Sequence, residues 1–203
     1  EIIKRLWTED HVSFSGEAFH LTDVTIDPKP IKKPRPPIWL AANTDAAVKR
    51  AAKLADGWMI GPHSAIDELE RQVELCRTAW KDAAKEGQPE MPIIRETFVA
   101  KDRKAAVDKA RPCLEHLYRA VYIKWKQNEA MNDPNELAWA FDKLAKGRFI
   151  LGSPSECIDQ IEEYREKLGI SYMLPRFDWT PGLPQSEILA SMRLFGEEVI
   201  QKL

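Results

Sequence analysis

The sequence has little of what marks several large functional classes. Its three cysteines, Cys76, Cys113 and Cys157, are odd in number, far apart and embedded in helical patterns. They argue against a disulfide framework and read as buried thiols of a reducing cytoplasm. The four histidines show no metal-ligand spacing with one another or with a carboxylate, so no metal site is expected. No apolar run approaches the roughly 20 residues of a membrane span, and no signal peptide is visible. Neither sign of charge dominates: 30 Lys and Arg are interleaved with 32 Asp and Glu, a net charge of -2. That balance gives no electrostatic case for nucleic acid. An initiating Met is also missing. The chain opens on Glu1 inside a helical pattern, "EIIKRLW", and the expectation is the later part of a longer protein.

What is present is an ordinary globular composition, 203 residues with 44% hydrophobic and 31% charged, enough for one sizeable core. After the first helix, "HVSFSGEAFHL" alternates Val12, Phe14, Phe19 and Leu21 around a turn at Ser15–Gly16, the pattern of a hairpin. Five prolines between 28 and 37 make an extended linker. Ile38 to Ala42 reads as a strand, and Asp45 to Leu54 as a helix with Ala47, Ala51, Leu54 and Ala55 on one face, ended by Gly57. Trp58 to Ile60 is the next strand. Ile66, Leu69, Val73, Cys76, Trp80 and Ala83 then mark a long amphipathic helix stopped by Gly87. "MPIIRETFVA", 91 to 100, is a third strand. Residues 103 to 147 are irregularly helical, with breaks at Pro112 and Pro134 and a C-cap at Gly147. "GSPSE" starts a helix with Ser153 as N-cap, Pro154 at the first position and Glu156 completing a capping box. It ends at Gly169. "ISYMLPRF" is the fourth strand, and "PGLPQSEILASMRLFGEEV" begins the last helix.

Short apolar strands alternating with amphipathic helices predict a parallel sheet with helices outside it. Four such units are half of a (β/α)8 TIM-type barrel, with a small open sheet as the alternative. The expected organisation is a single α/β domain over 1–203. Residues 1–36 give the helix, hairpin and linker, 37–100 three strands, 101–152 a helical insertion, and 153–203 the last helix–strand–helix. The outer strands, near 38–42 and 170–177, would be open edges suited to pairing with a partner or a second copy.

Ligands of parallel barrels sit at the C-terminal strand ends. Ala41, Ala42, Asn43 and Thr44 form one such loop, its small side chains admitting a flat ring or a phosphate. Gly61, Pro62, His63 and Ser64 form the next. Two adjacent helix N-termini facing one mouth could cradle a phosphate; equally, small residues make tight turns. His63 is the best placed of the four histidines as a proton donor or anion ligand, while His11, His20 and His116 read as structural or surface residues.

The set "GEAFHL…PKPIKKPRPPIWLAANTDAAVKRAAKLADGWMIG", "IIRETFVAKD", "GSPSECIDQIEEY" and "PGLPQSEILASMRLFGEEVI" resembles the C-terminal half of bacterial luciferase-like flavin-dependent monooxygenases. The resemblance implies a barrel whose first four units are absent from this chain. It also implies reduced FMN, supplied by a separate reductase, or a deazaflavin, with O2 and a small organic substrate. By position, Ala41, Ala42, Asn43 and Thr44 match the family's small-residue loop along the flavin and its phosphate, and Gly61, Pro62, His63 and Ser64 the loop completing the phosphate site. Ala42 and Asn43 stand where the family is richer in glycine. A deazaflavin hydride-transfer enzyme, and a non-catalytic half-barrel that oligomerises or binds a phosphorylated ligand, are the alternatives. Expected partners are the flavin, the substrate, and a second copy or an N-terminal half-barrel.

Arg95 and Glu96, adjacent in a strand, point to opposite faces. Arg95 shares its side with Ile93 and Thr97 and is read either as pointing into the pocket or as a structural ion pair. Arg176 ends the last strand at the rim beside Phe177, Asp178 and Trp179, for contact with flavin or substrate or for a rim salt bridge. The insertion must cover the mouth, with Tyr118, Tyr122, Trp125, Trp139 and Phe141 as its aromatic surface, either as a lid or as a packing layer. No catalytic residue is assigned from the sequence.

Overall fold

The computed structural model describes residues 1–170, 172–179 and 181–203; Ser171, inside the fourth expected strand, and Thr180 lie outside the described residues. Contacts within the chain fall into two units, Glu1–Ile38 and Trp39–Leu203.

The first unit holds helix α1 (Ile2–Thr8) and an antiparallel hairpin of β1 (Val12–Ser15) and β2 (His20–Val24). The hairpin closes where expected: the Gly16 N–H donates to the Phe19 carbonyl at 3.0 Å. Arg5 donates to the Ser13 carbonyl at 2.9 Å, tying α1 to β1. The Lys29 ammonium reaches the Leu6 carbonyl at 3.0 Å, a cation at the negative end of α1. Lys29 thereby holds down the proline-rich stretch, which carries no helix or strand among the described residues.

The second unit runs β3 (Trp39–Ala42), α2 (Asp45–Leu54), β4 (Gly57–Ile60), α3 (Ile66–Asp82), β5 (Ile93–Val99) and α4 (Arg103–His116). A π-helical stretch (Leu117–Tyr122), 3-10 turns at Gln127–Ala130 and Glu136–Ala138, and α5 (Phe141–Ala145) complete the insertion. Then come β6 (Ile150–Gly152), α6 (Pro154–Leu168), β7 (Met173–Arg176), α7 (Gln185–Glu198) and a last turn, Ile200–Lys202. All pairings in this unit's sheet are parallel. β3 pairs with β4, and β5 takes three neighbours: β4 at Ile60–Ile93, β7 along 93–96 and β6 along 97–99. β3 and β7 each have one partner strand among the described residues, so both expected edges are open. The rings of Trp39 and Tyr172 nevertheless stand 5.7 Å apart. Strands three positions apart in a flat sheet would be separated by about 14 Å. The sheet therefore curls, as a segment of barrel wall must.

Several local expectations are corrected. Gly57 does not end α2, which is capped at Ala55; it begins β4, paired with Trp39, and must be glycine there because a Cβ would lie 2.4 Å from the Glu90 carbonyl oxygen. The buried face of α2 is Val48, Ala51 and Ala52, with Ala55 beyond, while Leu54 is 60% exposed. Pro112 lies inside α4 rather than breaking it. β6 leaves no mark in the sequence pattern, because a three-residue strand is too short for period-two alternation to show. The "GSPSE" signals hold in full: Ser153 and Glu156 make a capping box, Pro154 opens α6, and Gly169 closes it in the left-handed conformation at φ 64°.

Two cores result. One packs β3–β5 against α2, α3, α6 and α7. The other gathers α4, the π-helical stretch, α5 and Phe98 into a separate cluster, so the insertion has a core of its own. The three cysteines are free and buried. Burial lifts the Cys76 thiol to about 11 and Cys157 to about 12, which suppresses thiolate chemistry at both. No helix among the described residues is long and apolar enough to cross a membrane.

Candidate functional site

The first expected loop leaves β3. Ala41 is exposed and Ala42 buried, its carbonyl accepting from the Trp58 indole at 2.9 Å. Thr44 is the N-cap of α2, its hydroxyl accepting from the Ala47 N–H at 3.3 Å. Asp45 already occupies the first turn and takes a bidentate pair from Arg71 at 2.7 and 2.8 Å, which holds its carboxyl below the ordinary range. The α2 N-terminus thus carries its own anion. α3 is similar: the Ile66 N–H donates to the Gly147 carbonyl at 2.8 Å, and Asp67 and Glu68 sit in its first turn. A cradle built from those two helix ends is not the arrangement found.

The second loop has a different construction. Each of its four carbonyls accepts a hydrogen bond from a side chain. Arg95, fully buried, donates to Gly61 at 3.1 Å and Ser64 at 3.2 Å; Tyr118 donates to Pro62 at 2.8 Å; Arg148 donates to His63 at 2.7 Å. Arg95 lies over the Tyr164 ring of α6 at 4.7 Å, on the helix side of the sheet. It therefore positions the loop from behind rather than entering a pocket, and it makes no ion pair among the described residues. All four of the loop's carbonyls are thus occupied by side-chain donors.

The two loops converge above Gly61. A Cβ there would lie 3.1 Å from Asn43 Oδ1 and 3.2 Å from His63 Nδ1. His63 Nδ1 is buried and has no hydrogen-bond partner among the described residues. Desolvation, then the charges of Arg176, Arg95 and Arg148, lower His63 to about 4, so its ring is neutral at physiological pH and sits in a positive field. That field suits an anion, but through the arginines and one neutral ring rather than a histidine cation. The insertion closes over this point: Gln127 accepts from Asn43 Nδ2 at 2.9 Å, and Tyr122 packs edge-on against His63 with centroids 4.5 Å apart. Residues 101–152 therefore meet both loops, as the topology requires.

Beside it lies a buried polar cluster. Glu96, fully buried, accepts from Tyr118 at 2.9 Å, Tyr122 at 3.3 Å and Arg176 at 2.8 Å. Burial pushes its carboxyl up, against the pull of Arg176. Arg176 also donates to the Tyr122 hydroxyl at 2.7 Å, so its salt bridge is with Glu96 across the sheet, not with Asp178. Sequence reasoning missed Arg148 and Glu136, which form an ion pair beneath the loop; no periodicity marks a charged pair 12 residues apart in irregular chain. Among the described residues no cluster of His, Cys, Asp and Glu could hold a metal.

The profile of the luciferase-like monooxygenase family matches residues 1–171. An F420-dependent glucose-6-phosphate dehydrogenase of Nakamurella multipartita is 27% identical over 213 aligned residues, covering 100% of this chain and 58% of the relative. An FMNH2-dependent dimethylsulfone monooxygenase of Pseudomonas putida is 31% identical over 98 residues, 47% of this chain and 27% of that one. Among solved structures, the oxygenating constituent of 3,6-diketocamphane monooxygenase from a Pseudomonas putida plasmid, in complex with FMN, superposes with a TM-score of 0.76 at 17% identity. That superposition covers 100% of this chain and 61% of the other, so the fold is part of such a barrel. The chain spans less than two thirds of the length of these curated relatives.

Proposed function

We propose, from the premise that the chain belongs to the luciferase-like monooxygenase family, that it forms the flavin-phosphate side of an oxidoreductase site acting on a small organic substrate. The observation that carries this is the Gly61–Ser64 loop. Its carbonyls are occupied, three arginines surround it, and His63 Nδ1, buried and unpartnered among the described residues, stands beside Asn43 over Gly61, where the lack of a Cβ lets the two side chains approach. These features fit a flavin phosphate. Asn43 and His63 would hydrogen-bond the ligand, Ser64 would border it, and Ala41 and Ala42 would leave clearance for the ring. The insertion, through Gln127 and Tyr122, would keep water away. When bound, the flavin supplies the redox chemistry; the residues here bind, orient and shield it. The open edges of β3 and β7 are the proposed pairing sites for the N-terminal half of a barrel or a second copy. The buried thiols suit the cytoplasm.

FMN with O2 is the preferred pairing. A deazaflavin is the second reading, favoured by the F420-dependent relatives that align with the whole chain. Anaerobic titration with reduced FMN and with F420 separates them. Tighter binding of reduced FMN is the expected result. Tighter binding of F420 would transfer the reading to hydride transfer, and binding of neither would overturn both.

A further inference from the structure

A cavity of about 520 Å³ opens between the π-helical stretch and the end of β7, apart from the Asn43 and His63 loops. Its size falls within the range of small-molecule sites. One wall is Val121, Tyr122, Lys124 and Trp125, and the other is Arg176 and Asp178. Trp125 is 63% exposed, a large flat apolar surface left open to solvent. Arg176 is held in place by its Nη2 bonds to Glu96 and Tyr122, and its Nη1 makes no hydrogen bond among the described residues. Lys124 has no ion-pair partner among the described residues. Among the described residues Asp178 is the one carboxylate in the lining, whereas Glu96 lies behind Arg176 with its oxygens occupied by three donors. π-Helical turns are rare and concentrate at functional sites. Here the turn aims Tyr118 and Tyr122 at Glu96, while Val121 within it and Lys124 just beyond it line the cavity.

We propose that this cavity binds a flat aromatic carboxylate, with the carboxylate on Arg176 and Lys124 and the ring against Trp125, and that this is the class of the organic substrate. As the seat of the substrate the cavity rests on the flavin reading above; as a binding site it does not.

Calorimetric titration of the chain with cinnamate and with its neutral analogue cinnamamide, at neutral pH and low salt, tests it. Cinnamate should bind at least about tenfold more tightly than the amide, the worth of one charge-assisted hydrogen bond. Lys124→Met should weaken cinnamate and leave cinnamamide unchanged; Trp125→Ala should weaken both. Both side chains are exposed, so neither variant threatens the fold. Equal affinities, no binding of cinnamate, or variants that bind like the parent would overturn the proposal. Cinnamate binding without flavin binding would preserve the cavity and sink the flavin reading, and the reverse result would do the opposite.

Discussion

Arg148→Met is expected to cost about 3–5 kcal/mol of folding stability, the penalty for removing one member of a buried ion pair. Arg148 is fully buried and donates to the His63 carbonyl at 2.7 Å, to the Leu144 carbonyl and to Glu136. Removing its guanidinium strands two carbonyls and a carboxylate at once. Burial already raises Glu136, and without Arg148 nothing on that side opposes the rise. Methionine fills most of the volume, so the loss is polar rather than a cavity. Urea unfolding would measure it. The double variant Arg148→Met with Glu136→Leu should recover part of the loss, because the stranded charge is gone. A single-variant loss below about 1 kcal/mol would mean that the pair does not anchor the loop.

The second large effect concerns pH. His63 in the folded chain titrates at about 4 against an ordinary value of 6.5. As the pH falls, the unfolded chain takes up this proton first. The contribution is whole above pH 6.5 and drains away between 6.5 and 4, about 3 kcal/mol in all at roughly 1.4 kcal/mol per pH unit. Glu96 acts with the opposite sign. Its raised carboxyl contributes stability below its ordinary value of 4.5 that is lost as the pH rises. His63→Gln should therefore flatten the acid-side loss, leaving the opposite slope of Glu96. Urea midpoints across that window for parent and variant would read this directly. An unchanged slope in the variant would show that His63 is not desolvated as described.

Much of this architecture could be read from the sequence, because barrel units announce themselves locally. "GSPSE" fixed a helix start to the residue, and strand–helix alternation gave the parallel sheet and its two open edges. The points lost are those where tertiary packing decides. Gly57 reads as a helix stop from its neighbours, yet the approach of the Glu90 backbone is what demands glycine there. Alternation puts Arg95 and Glu96 on opposite faces, but periodicity does not say which face carries the helices, and Arg95 points to the helix layer. His63 and Arg176 are legible from position as residues at the strand ends facing the mouth. Their partners Tyr122, Arg148 and Gln127 were not, because they reach the loops from an insertion whose path obeys no period.

The central claim, that the Asn43 and His63 loops hold a flavin phosphate, is tested most directly by calorimetric titration of the purified chain with FMN and with riboflavin, which differ by that phosphate alone. The account predicts that FMN binds and riboflavin does not, and that His63→Gln weakens FMN by about tenfold. Equal binding of both, or of neither, would contradict it.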